Sequence, residues 1–131
     1  MQKKILLAED DERIVKAISV RLNAKGYEVL AAYDAIMAMQ KTMEQDPDLI
    51  LLDINMPGGN GLTLAERLKN SSKTSHIPII FLTASKQPDL QQRAINLGAI
   101  AFFEKPFDFD ELLATVRAAL DHPHVRLTNA Y

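Results

Sequence analysis

Polar side chains that could do chemistry follow short apolar runs at four places in this sequence. The acids Glu9 and Asp10 come directly after one run, and Asp53 follows a second. Thr83 ends a third run, and Lys105 comes shortly after a fourth. Carboxylates, a hydroxyl and an ammonium can together bind a cation and an anion, provided that the fold brings them to one place.

The three carboxylates of Glu9, Asp10 and Asp53 would lie within several ångströms of one another if the runs they follow are neighbouring strands. Two unit charges about 4 Å apart repel by roughly 1 kcal/mol in water and ~4 kcal/mol at an effective dielectric of about 20. A cation relieves that repulsion, and a carboxylate site without Cys or His suits a hard ion such as Mg²⁺. The acids therefore indicate a Mg²⁺ site with room for a phosphoryl ligand. Asp11 and Asp34 are each expected to cap the helix that follows.

Thr83 and Lys105 fit the same chemistry. A hydroxyl can donate one hydrogen bond to a phosphoryl oxygen, and a lysine ammonium is a compact positive charge for the same group. Either residue alone would be an ordinary strand end or a solvated lysine. Their joint placement at strand ends that face the acids indicates a phosphoryl-binding pair.

Alternating apolar runs and amphipathic stretches must position these groups. Apolar runs predict strands at 5–8, 29–32, 49–52, 78–82 and 101–103, and helical spacing predicts helices at 11–25, 36–43, 62–68, 89–97 and 109–120. Strands that are apolar throughout are buried on both faces, as in a parallel sheet covered by helices. Five such units predict a three-layer αβα sandwich, an α/β fold whose ligands sit at the carboxyl ends of the strands.

Length and composition bound the class of protein. The 131 residues suit one domain, assigned to 1–121, with 122–131 as a tail or the start of a linker. The formal net charge of -2 argues against broad binding to nucleic acid or membrane surfaces, and the absence of cysteine excludes disulfides and thiolate chemistry. The apolar runs are far shorter than the ~20 residues of a membrane span. We expect a soluble, cytoplasmic protein.

The sequence resembles the receiver domains of two-component response regulators from Lys4 to about Leu120. The resemblance rests on four motifs in order, each at a strand end, namely Glu9-Asp10, the segment 53–61, Thr83-Ala84 and Lys105-Pro106-Phe107. It implies a flavodoxin-like (βα)5 fold with strand order 2-1-3-4-5. It also implies a signalling domain, not an enzyme, that catalyses only its own phosphorylation and dephosphorylation.

The resemblance assigns roles to the acids. Asp53 resembles the phosphoacceptor. Mg²⁺, or Mn²⁺, would be bound directly by Asp10, mainly through water by Glu9, and also by Asp53 and the backbone carbonyl of Asn55. Glu in place of Asp at position 9 is a common variant that should keep metal binding.

The resemblance assigns further roles near the ends of the fourth and fifth strands. Thr83 looks like the switch hydroxyl and Phe102 like the aromatic switch residue. Lys105 would contact the phosphoryl group, and the bond between it and the following proline would be cis. Asn55 and Ser85 look like the positions that tune dephosphorylation.

The implied partners are a sensor histidine kinase or histidine phosphotransfer protein as donor, and a downstream effector domain or protein. The switch would act on the surface of the fourth helix, fifth strand and fifth helix. A phosphorylation-dependent homodimer is one expected outcome. The domain itself is expected to make no direct contact with nucleic acid or membrane. Many winged-helix regulators carry acids after the Gly-Ala pair that precedes the fifth strand, where this chain has Ile100-Ala101. That difference argues against their salt-bridged dimer and places Ile100 on an apolar contact surface.

Three other classes stay open at this point. A haloacid dehalogenase-type phosphatase would need a second Asp two residues after the nucleophile, where this sequence has Asn55. A flavodoxin-like electron carrier would need hydroxyls and amides where the first strand ends in acids. A degenerate receiver used only as a scaffold would not be expected to keep Asp53, Thr83 and Lys105.

Overall fold

A computed structural model describes residues 2–122, which form one five-stranded sheet with helices on both faces. The strands are β1 (Lys4–Ala8), β2 (Glu28–Ala32), β3 (Leu49–Asp53), β4 (Ile79–Thr83) and β5 (Ala101–Glu104). The helices are α1 (Glu12–Ala24), α2 (Ala35–Gln45), α3 (Gly61–Lys69), α4 (Leu90–Asn96) and α5 (Phe109–Asp121). The strands are parallel in the order β2-β1-β3-β4-β5. The predicted sandwich and strand order are confirmed.

Each face of the sheet carries its own apolar core, because successive side chains of a strand point to opposite faces. In β1, Leu6 and Ala8 face the side covered by α2, α3 and α4, whereas Ile5 and Leu7 face the side covered by α1 and α5. All five residues of β3 and of β4 are buried. Burial on both faces explains why the central strands are apolar until their last residues, Asp53 and Thr83.

Side-chain caps start the helices that flank the site. Asp11 accepts a hydrogen bond from Arg13 N–H at 2.9 Å, and Asp34 accepts one from Met37 N–H at 2.7 Å, as expected of N-caps. Both caps were predicted. Asn60 caps α3 through Leu62 N–H at 2.7 Å, so that helix begins immediately after the loop that leaves β3.

Two features differ from the predictions. Ile100 is not exposed on a contact surface but buried in the core under α1 and α5, because its N–H already pairs with the carbonyl of Ile79 at 3.0 Å. The loop after β3 contains a short antiparallel pairing of 55–56 with 59–60 that is too brief to produce a recognisable pattern in the sequence.

No helix within residues 2–122 is long and apolar enough to cross a membrane. Most of the assigned tail, from residue 123 onward, lies outside the described residues.

Candidate functional site

Three acids meet at the carboxyl ends of β1 and β3. These strands are neighbours, with Ala8 paired to Leu52, so the residues that follow them emerge side by side. Glu9, Asp10 and Asp53 each offer a carboxylate oxygen, and these oxygens all lie within 4.8 Å of one another. The structure thus brings together the three acids that the sequence pointed to.

Lys105 enters the same cluster from the end of β5. Its ammonium pairs with Glu9 and lies 3.3 Å from Asp53 Oδ2. The side chains are 14%, 1% and 5% exposed for Lys105, Glu9 and Asp53, so water screens these contacts weakly. The Lys105 N–H donates to the Thr83 carbonyl at 2.7 Å, and the peptide bond to Pro106 is cis, as the resemblance implied.

Burial and pairing act in opposite directions on the pKa values of Glu9 and Lys105. It raises the pKa of the Glu9 carboxyl, although hydrogen bonds from the Lys105 ammonium and the Asp11 N–H oppose that rise. Burial by itself would lower the pKa of Lys105, but the hydrogen bond to Glu9 and the charges of Asp53 and Glu9 raise it overall. Lys105 is therefore held as a cation beside Asp53.

Asp10 is the exposed member of the cluster. Within residues 2–122 its carboxylate has no hydrogen-bond or ion-pair partner, unlike those of Glu9 and Asp53. It opens onto a cleft of about 460 Å³ that Asn55 also lines, and the Asn55 N–H donates to Asp53 Oδ1 at 3.1 Å. An all-oxygen donor set beside an open cleft fits a hard divalent cation that keeps several waters.

Thr83 ends β4 next to Asp53, since Asp53 and Leu82 are paired across the two strands. The buried Thr83 Oγ1 accepts a hydrogen bond from Ser85 N–H at 3.0 Å. No acceptor for its own hydroxyl hydrogen is found among the described residues, so that hydrogen is available to a ligand oxygen.

Phe102 lies in the core beneath α4. The residue is 6% exposed and belongs to the cluster that includes Phe81, Leu90 and Ala94, so its ring is packed inward. Ser85 is half-buried, and Asn55 is exposed at the rim of the cleft.

Gly61 is a site residue that the sequence did not single out. Its N–H donates to the Ile54 carbonyl at 2.7 Å, and a Cβ at this position would lie 2.4 Å from the Asp53 carbonyl oxygen and 2.8 Å from Ile54 Cα. The start of α3 therefore packs against the backbone that carries Asp53. The Gly58–Gly61 run hints at a tight loop, but nothing in it marks this particular close approach.

We expect Gly61→Ala to destabilise the protein by about 2 kcal/mol or more, because the added methyl meets backbone atoms that cannot rotate away. The measurement is urea unfolding with and without Mg²⁺. Thr63→Ala, on the exposed side of the same helix, is the matched control and should shift the free energy of unfolding much less. An unchanged unfolding midpoint in Gly61→Ala would show that the loop relaxes freely around Asp53.

Comparison with known proteins places this geometry in a family. The family model described as response regulator receiver domain matches residues 5–117. The chain is 41% identical over 118 residues to the phosphate regulon transcriptional regulatory protein PhoB of Pseudomonas aeruginosa, covering 90% of this chain and 52% of that protein. It is 38% identical over 117 residues to the DNA-binding dual master transcriptional regulator RpaA of Synechocystis sp., covering 89% and 48%.

Solved structures agree with the sequence comparison. A putative response regulator from Chloroflexus aurantiacus J-10-fl superposes with a TM-score of 0.87 at 29% identity, covering 93% of this chain and 100% of that chain. The chain spans about half the length of the two curated relatives, at 52% and 48%.

Proposed function

Since the chain belongs to the receiver domain family of two-component response regulators, whose general role is to be phosphorylated on an aspartate, we propose that Asp53 is the residue that accepts the phosphoryl group. One observation carries the proposal. Asp53 is a nearly buried carboxylate between the Lys105 ammonium and the Asn55 N–H, with two further acids within 4.8 Å. Of the other two acids, Asp10 is exposed and has no cation beside it, whereas Glu9 has the same kinds of contact as Asp53 and is assigned to the metal by the family resemblance.

The carboxylates would hold one Mg²⁺ or Mn²⁺ ion. We assign direct ligation to Asp10 and Asp53, a water-mediated contact to Glu9, and the remaining protein ligand to the backbone carbonyl of Asn55. When bound, such an ion neutralises charge on the phosphoryl oxygens during transfer.

The side chains of this chain contribute to phosphoryl transfer through the positions in which the fold holds them. A carboxylate oxygen of Asp53 attacks the phosphorus of a phosphohistidine on the donor, the P–N bond breaks, and the imidazole nitrogen leaves with the electron pair and takes up a proton. Lys105 stands 3.3 Å from Asp53 before the phosphoryl group arrives, so it is already placed to neutralise one of its oxygens. The hydroxyl hydrogen of Thr83 can satisfy another oxygen.

The product is an acyl phosphate, which is reactive and therefore temporary. Asn55 lines the cleft, and Ser85 is half-buried and donates its backbone N–H to Thr83 Oγ1. We assign the tuning of dephosphorylation to these two positions. We expect the domain to catalyse only its own phosphorylation and dephosphorylation.

The output follows from packing around Thr83 and Phe102. When a phosphoryl oxygen draws in the Thr83 hydroxyl, the inward packing of the Phe102 ring is favoured over an outward one. This population shift would alter the surface formed by α4, β5 and α5. A downstream effector domain or protein, or a second phosphorylated copy, would read that surface.

The donor is expected to be a sensor histidine kinase or a histidine phosphotransfer protein, and the cytoplasm is the compartment in which we place the exchange. PhoB and RpaA are named as transcriptional regulators, and we extend to this chain only the receiver role.

The proposal is tested with phosphoramidate, a small donor whose P–N bond is like that of phosphohistidine. With Mg²⁺ present, intact mass should show the addition of one phosphoryl group. Neutral hydroxylamine should then remove it, because hydroxylamine attacks acyl phosphates but not phosphate esters. A mark that survives hydroxylamine would place the phosphate on a hydroxyl such as Thr83, and an unmodified chain would contradict phosphoacceptor function altogether.

A further inference from the structure

Three phenylalanine rings form a continuous ladder around the segment that carries Lys105. Phe103 of β5 and Phe107 of the following loop meet edge to face, with ring centroids 6.1 Å apart and planes at 64°. Phe107 meets Phe109, the first residue of α5, in the same way at 5.7 Å and 70°. The guanidinium carbon of Arg21, on α1, lies 4.2 Å from the centroid of Phe109. The ladder ties β5, the loop, α5 and α1 together.

The ladder lies on both sides of Lys105 in the sequence. On the strand side the Lys105 backbone is fixed by its hydrogen bond to the Thr83 carbonyl at 2.7 Å. On the loop side no hydrogen bond within residues 2–122 fixes Pro106 or Phe107, so packing holds this segment: Phe107 meets the two neighbouring rings and lies against the core under α1 and α5. A lysine stem has several rotatable bonds, so the position of its ammonium depends on how firmly its backbone is held.

Phe107 is less buried than an ordinary core residue. Its ring is half-buried, whereas Phe103 is buried and belongs to the core under α1 and α5. Phe107 also lines a groove that Lys105, Ile14 and Ala17 share. A half-buried ring contributes less to stability than a fully buried one, but edge-to-face pairs on both sides set its orientation closely.

We propose that Phe107 is a positioning residue for phosphoryl uptake: its ring, held between Phe103 and Phe109, fixes the backbone of Lys105 so that the ammonium stays between Glu9 and Asp53. The proposal rests on the proposed function, in which Lys105 acts on the phosphoryl group. In this role Phe107 acts only through Lys105.

The rate of uptake from phosphoramidate tests this through a double-mutant cycle. Phe107→Leu keeps an apolar side chain without the ring edges and should slow uptake about tenfold, less than the ~100-fold that a misplacement of about 1 Å can cost. In a Lys105→Ala background the same change should have no further effect, because it acts through Lys105. Phe107→Tyr keeps the ring and should restore the rate.

A control separates positioning from general loosening of the core. Leu113→Ala removes apolar contact from the same core at a residue that is not one of the three rings. It should lower the melting temperature while the folded protein takes up phosphoryl groups at the normal rate. A rate loss from Phe107→Leu that is equal in both Lys105 backgrounds, or that Leu113→Ala reproduces, would overturn the proposal.

A second readout does not depend on phosphorylation. An ordered ammonium held by two carboxylates exchanges its protons slowly and gives an observable NMR signal, which we expect for Lys105 in the metal-free protein and in Leu113→Ala but not in Phe107→Leu. An unchanged signal in Phe107→Leu would refute the positioning role. If that signal is lost as expected while wild type takes up no phosphoryl group, the proposed function fails and the positioning of Lys105 stands.

Discussion

Asp53→Asn is expected to lower phosphoryl uptake from phosphoramidate by more than roughly 10³-fold, since loss of a nucleophile can cost up to ~10⁶ in rate. An amide oxygen carries no negative charge and cannot form the acyl phosphate. The substitution keeps the shape of the side chain, and the Asn55 N–H can still donate to the remaining carbonyl oxygen. The fold should therefore survive, and the loss should be chemical. Intact mass after timed incubation measures it.

Asp121→Asn is the matched control for this change. It removes a carboxylate at the exposed end of α5, away from the sheet edge that carries the site, and should label at the wild-type rate. Labelling of Asp53→Asn at that same rate would move the acceptor to another residue of the cluster and contradict the central assignment.

Mg²⁺ is expected to stabilise the wild-type protein, and Asp10→Asn should abolish this response. Among the residues that the structure describes, three carboxylates share the cluster with one cation, Lys105, so part of their charge is uncompensated in the metal-free protein. An ion present at about tenfold its dissociation constant adds about 1.4 kcal/mol of stability, which corresponds to a rise of roughly 4–8 °C in melting temperature for a small domain. Calorimetry or fluorescence melts over a Mg²⁺ titration measure this rise.

The Asp10 variant has a second expected signature. Because the Asp10 carboxylate has no partner among the described residues, its removal takes away repulsion without breaking a bond. Metal-free Asp10→Asn should therefore melt at or above metal-free wild type, while Asp110→Asn, exposed in the first turn of α5, keeps the full Mg²⁺ response. A wild-type melting temperature indifferent to Mg²⁺, or an equal response in both variants, would exclude the metal site.

The sequence was sufficient for the architecture because the strands are apolar on both faces. Such runs have few other solutions than a covered parallel sheet, whereas the strand order, which places the ends of β1 and β3 side by side, was implied by the family resemblance. The helix starts at Asp11 and Asp34 were predictable because capping is a local interaction.

Other features of the fold and the site could not be predicted, because they depend on packing between residues that are distant in the sequence. The close approach of Gly61 to the Asp53 backbone involves two segments joined by a short irregular loop. Ile100 follows a Gly-Ala pair and was expected on an apolar contact surface, yet its N–H pairs with the carbonyl of Ile79 and its side chain is buried. The pairing of Lys105 with Glu9 links residues 96 positions apart, and the sequence indicated only that both would face the same edge.

The most direct test of the account is to locate the phosphoryl group on the wild-type chain with every acid intact. After incubation with phosphoramidate and Mg²⁺, borohydride reduces an aspartyl phosphate to homoserine, and peptide mass spectrometry identifies the converted residue. Homoserine is expected at position 53 alone. Conversion at Glu9 or Asp10, or at any acid outside the cluster, would contradict it.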